Sequence, residues 1–79
     1  MDNREKLRKL FARELGIDEA VVVDNLTYNT IQEWDSVAHM RLVAAIDDGF
    51  DIMLDAEDVI DMSSFAKAID ILKKYNVEF

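Results

Sequence analysis

The chain has 79 residues, 51% of them hydrophobic, with 9 Lys and Arg against 17 Asp and Glu and a formal charge of −8. This describes one small domain spanning 1–79, with a single core, too apolar for general disorder and too small for a buried multi-residue catalytic centre. There is no cysteine, which excludes disulfides, a thiolate nucleophile and Cys-based zinc sites.

The charge is unevenly spread. Residues 1–13 carry +3, residues 14–66 carry −12 and residues 67–79 carry +1. Arg41 is the only basic residue in the acidic stretch. Such a surface repels phosphate backbones, so nucleic acid is not an expected partner. It would instead steer basic protein surfaces towards itself. The longest apolar run, Ala20-Val21-Val22-Val23, is far short of a membrane span. The charged start, Met1 to Lys6, does not resemble a signal peptide, and a cytoplasmic monomer is expected.

In chain order, Asp2 and Glu5 have capping-box spacing ahead of a stripe of Leu7, Leu10, Phe11 and Leu15. Gly16 ends this first helix, with Ile17 folding back on its last turn. Residues 17–35 form a long connection anchored by Val21, Val23, Leu26 and Ile31, with a short helical turn after Asp18. A second helix is predicted from Ser36, as its cap, to about Asp48, with Gly49 as the stop. Its apolar surface is wider than one core contact needs. Val37, Met40, Val43 and Ala44 form one stripe, and Leu42, Ile46 and Phe50 another. Phe50, Ile52 and Leu54 suggest a brief extended stretch. Asp55 then caps a short third helix, and Ser63 or Ser64 caps a fourth with Phe65, Ala68, Ile69 and Leu72 inward. The predicted fold is all-α, a bundle of three longer helices and one short one, with the long loop between helices 1 and 2.

Several catalytic readings fail on spacing or on missing partners. Ser36 and His39 share a helix, but no orienting third residue or oxyanion hole accompanies them, and His39 reads as a partly exposed helix-surface residue. Asp47, Asp48 and Asp51 around Gly49 do not have calcium-loop spacing. The Asp55, Glu57, Asp58 and Asp61 cluster reads as a solvated helix face. No metal site and no catalytic residue is expected, and the chain does not read as an enzyme.

Asp35-Ser36-Val37 resembles the Asp-Ser-Leu signature of acyl carrier proteins, at the same place in the same helical order. The resemblance extends over Leu15-Gly16-Ile17, the long loop, Leu42, Ile46 and Phe50, Asp55-Ala56-Glu57-Asp58 and Met62-Ser63-Ser64-Phe65. It implies that Ser36 receives a covalent 4′-phosphopantetheine arm from a phosphopantetheinyl transferase, with Asp35 helping that enzyme recognise the site. The arm's thiol would carry acyl groups as thioesters. By position, Val37, Met40, Arg41, Ala44, Asp47 and Asp48 would face partner enzymes: a loading ligase, and an acyltransferase or synthase downstream. Ile46, Leu54, Val59, Ile60, Met62 and Ala68 would line an acyl-chain cavity. Glu33-Trp34 replaces the small Gly-containing pair of common fatty-acid carriers, Arg41 interrupts a usually acidic helix, and Val37 is shorter than Leu. These departures point away from a general fatty-acid synthase and towards a free-standing carrier dedicated to a specialised pathway, while the resemblance as a whole implies a carrier for fatty-acid, polyketide or other specialised biosynthesis. An aminoacyl or peptidyl carrier and an acidic adaptor without a prosthetic group are the alternatives. Trp34 is expected to pin the loop to the bundle.

Overall fold

The computed structural model describes residues 2–79. Four helices follow in order: α1 (Asn3–Leu15), α2 (Ser36–Phe50), α3 (Ala56–Asp61) and α4 (Phe65–Lys73). A 3₁₀ turn over Glu19–Val21 interrupts the long connection. Among the described residues there is no strand, and the all-α bundle predicted from the periodicity is what forms.

The helix starts follow local chemistry. Asp2 accepts from the Arg4 amide at 2.9 Å, Asp18 from the Ala20 amide at 2.9 Å, and Ser64, not Ser63, from the Lys67 amide at 2.9 Å. Asp55 precedes α3 but makes no side-chain cap bond. Gly16 closes α1 in the left-handed region, at φ 67°.

Two expectations for α2 are corrected. Gly49 does not stop the helix, which runs on to Phe50 and ends at Asp51 with φ 54°. Its small size serves packing instead: a Cβ built on Gly49 would lie 3.1 Å from Leu10 Cδ1, so α1 crosses close by. The cap is also not Ser36. Asp35 caps α2, accepting from the Ala38 amide at 2.9 Å, and Ser36 is the first helical residue.

The core is built on an aromatic ladder. Phe11 meets Trp34 edge-on at 5.4 Å and Phe65 edge-on at 5.1 Å. Such pairs contribute about 0.5–1.5 kcal/mol each beyond their area burial. Trp34 has no exposed surface, so it does pin the loop to the bundle. Around the ladder lie Leu7, Leu15, Leu42, Ile46, Met62, Ala68 and Leu72.

The long connection is tied down, but not by all the anchors its sequence suggested. Leu26 is buried and Ile31 packs against the core, whereas Val21 and Val23 are exposed and Val22 takes the buried place. The 3₁₀ turn sets that register, a one-residue shift that alternation could not reveal. Backbone bonds then hold the loop to the start of α4: Tyr28 N–H to the Ser63 carbonyl at 2.8 Å, and Phe65 N–H to the Leu26 carbonyl at 3.0 Å.

α3 is only six residues long, too short to be stable alone. Side chains hold it. Asp58 is buried and accepts from Lys74 Nζ at 2.6 Å and from the Tyr75 hydroxyl at 2.6 Å. The Tyr75 oxygen also accepts from the Asp55 amide at 3.0 Å. The Lys74 hydrogen bond, then that of Tyr75, hold the Asp58 carboxyl below its usual value, and Asp58 in turn raises Lys74 and Tyr75.

Candidate functional site

Ser36 sits where the pinned loop enters α2. Trp34 faces inward, Asp35 caps the helix, and the next residue is carried out into solvent. Because Asp35 supplies the cap, the Ser36 hydroxyl is left without a hydrogen-bond partner among the described residues. The helix start also supplies amides with no intrahelical acceptor and the positive end of the helix dipole. The Ala38 amide is taken by Asp35 Oδ1 and the His39 amide by the Asp35 carbonyl, so Ser36 and Val37 keep the open ones. An exposed hydroxyl at such a place suits attachment of an anionic group.

Beside it lies a cleft of about 320 Å³ between α2, α3 and the loop. It is lined by Tyr28, Ser36, His39, Met40, Val59, Ile60, Met62 and Ser63. Two of its lining residues are apolar and exposed: Met40 is 59% exposed and Ile60 80%. An apolar rim around an exposed serine differs from an ordinary solvated helix end.

The six residues expected to line a cavity divide. Val59, Ile60 and Met62 border the cleft. Ile46, Leu54 and Ala68 do not: they are buried in the packed centre. Periodicity separates buried from exposed faces, but not core from cavity wall. Tyr28, His39 and Ser63 were not expected there. Tyr28 and Ser63 lie outside the helices, where no periodic signal could have flagged them.

His39, expected as a partly exposed surface residue, is half-buried and fully used. Its Nδ1 accepts from Trp34 Nε1 at 3.0 Å, and its Nε2 lies 2.8 Å from the Val59 carbonyl. Tyr28 packs edge-on against both rings, at 5.9 Å from Trp34 and 5.3 Å from His39.

Of the residues expected to face partners, Val37, Met40, Arg41, Ala44 and Asp48 are exposed. Arg41 has no ion pair among the described residues. Asp47 is different: half-buried, it accepts from the Leu54 amide at 3.0 Å and so orders the turn after α2. Val43, grouped in sequence with Val37, Met40 and Ala44, is buried. No helix among the described residues is long and apolar enough to cross a membrane. No group of three or more potential metal ligands occurs among them.

The chain aligns with the acyl carrier protein of Buchnera aphidicola subsp. Schizaphis graminum at 29% identity over 77 residues, covering 96% of this chain and 98% of that one. It aligns with the acyl carrier protein of Buchnera aphidicola subsp. Baizongia pistaciae at 29% identity over 76 residues, covering 95% and 97%. Over nearly its whole length the chain is similar to acyl carrier proteins. No protein-family model matches the chain. The aligned span extends nearly end to end, across the loop and the helices.

Proposed function

We propose that this protein is a non-catalytic acyl carrier whose Ser36 bears a covalent 4′-phosphopantetheine arm. The observation that carries the reading is the division of labour between Asp35 and Ser36. The cap is supplied by the neighbour, and the serine hydroxyl is exposed, unpaired and at a helix start.

The residues present fit the group. Its phosphodiester is an anion, and the Ser36 and Val37 amides at the positive end of α2 favour one. When bound, the arm supplies a thiol that holds acyl groups as thioesters, chemistry this cysteine-free chain does not have itself. The protein's part is to present the hydroxyl to a phosphopantetheinyl transferase, with Asp35 at the point of recognition, and then to present the loaded arm. Val37, Met40, Ala44 and Arg41 form the exposed side of α2 on which a loading ligase, acyltransferase or synthase would dock. Val59, Ile60 and Met62 offer an apolar resting place beside the anchor.

Intact-mass measurement after incubation with coenzyme A, Mg²⁺ and a broad-specificity transferase tests this. The wild type should gain the mass of one arm and Ser36→Ala should gain none. An unchanged wild-type mass, or a gain that survives Ser36→Ala, sinks the proposal.

A further inference from the structure

One side chain in the lining of the cleft beside Ser36 is held at both of its polar ends. His39 lines the cleft, while Trp34, stacked one ring deeper at 6.0 Å between centroids and 25° between planes, does not. An indole N–H can only donate, so the Nδ1 that accepts it is the unprotonated nitrogen. Nε2 therefore carries the ring proton and donates it to the Val59 carbonyl. The ring is tethered at both nitrogens, to the loop on one side and to α3 on the other. Swinging it aside would leave a fully buried indole N–H without a partner. Trp34, on which the His39 ring stacks, packs in turn on Phe11, and Phe11 on Phe65, all three of them fully buried.

We infer that His39 is the floor of a short cargo cleft, so that acyl groups rest at the surface between α2 and α3 instead of threading into the bundle. This inference rests on the reading of Ser36 as the anchor of the arm. Size sets the scale of the cargo. The cleft of about 320 Å³ is partly open to solvent, so its volume gives a scale and not a limit: the end of the arm with an acyl group of about eight carbons is of that order. Met40 and Met62, with adaptable thioether side chains, let the walls close on shorter groups.

The test loads the protein from a ladder of acyl-coenzyme A compounds, acetyl to palmitoyl, and verifies each product by intact mass. Melting temperature and nuclear Overhauser contacts from the cargo are then read. Contacts to Met40, Val59, Ile60 and the His39 ring are expected, with none to the Trp34 indole, Phe65 or Ile46. The rise in melting temperature with chain length should level off near octanoyl. In His39→Ala, dodecanoyl should reach the Trp34 indole and the rise should continue past octanoyl. His39→Gln, which keeps a donor and an acceptor, should restore the plateau.

Wild-type protein loaded with dodecanoyl or palmitoyl that contacts Trp34, Phe65 or Ile46, or whose melting temperature keeps climbing, overturns the inference and leaves the Ser36 anchor standing. A His39→Ala ladder identical to the wild type overturns the role of His39. Should His39→Ala fail to fold, the wild-type ladder decides the matter alone. Failure of every loading reaction removes the Ser36 anchor and the inference together.

Discussion

The indole of Trp34 donates its N–H to His39 Nδ1 at 3.0 Å while the two rings stack. The other nitrogen of His39 meets the Val59 carbonyl. Through this pair the loop, α2 and α3 become one unit around Ser36. Asp58 adds a second tether, joining α3 to Lys74 and Tyr75 after α4.

His39→Ala should destabilise the fold by about 1–3 kcal/mol, because it leaves the buried indole N–H without an acceptor. His39→Gln should recover most of that loss. Urea unfolding followed by fluorescence suits the comparison, since Trp34 is the only tryptophan. Equal stability of all three proteins would show that the pair contributes little.

Ser36 and Asp35 should separate cleanly. Ser36→Ala removes a hydroxyl that holds nothing in the fold and should change stability by less than about 0.5 kcal/mol. Asp35→Ala removes the cap and should cost about 0.5–2 kcal/mol. Chemical denaturation of the unmodified proteins checks both. A larger loss for Ser36→Ala than for Asp35→Ala would mean that the serine is the cap after all.

Gly49→Ala should stabilise the protein by about 0.5 kcal/mol. Replacing a helix-interior glycine gains up to about 1 kcal/mol. The new methyl presses on the tip of Leu10, which borders an open groove between α1 and α2 and can give way, and meets Lys6 Cε in ordinary contact at 3.9 Å. Gly49→Leu would have no such room and should destabilise. A drop in the urea midpoint of Gly49→Ala would show that Leu10 cannot move.

The Asp58 cluster predicts a pH dependence with a definite sign. Its folded pKa lies below the unfolded one, so the stability it contributes is present above the ordinary carboxylate range. That stability is lost as pH falls through the lowered value. Lys74 and Tyr75 are raised, so their contributions are complete below their ordinary values and lost as pH rises through the raised ones. Asp58→Asn should therefore melt several degrees below the wild type at neutral pH. The gap should close in acid and narrow again at high alkaline pH. A gap that stays constant across a pH series would rule the cluster out as the source.

Docking gives the last expectation. Arg41 is exposed and has no ion pair, so Arg41→Glu should leave the melting temperature within about a degree or two, as for other surface changes. If the exposed side of α2 receives partners, the same change should alter the kinetics of loading by an acyl-transferring enzyme. A shifted melting temperature with unchanged kinetics would place docking elsewhere.

By itself the sequence determined the helices and their order. Apolar residues at helical spacing, a polar residue before each start and Gly16 after α1 act over a single turn, so they can be read without knowing the fold. The Asp35-Ser36-Val37 signature likewise marked the place to look, because it is contiguous. What only the tertiary structure decided depends on which surfaces meet. Gly49 looked like a stop but is a contact point for Leu10, and Val22 rather than its neighbours fills the core. Ile46, Leu54 and Ala68 are packed interior, whereas Val59, Ile60 and Met62 face the cleft. The role of His39 was invisible for the same reason. Its partners lie five and twenty residues away, on different elements, and hydrogen bonds across that separation leave no periodic trace.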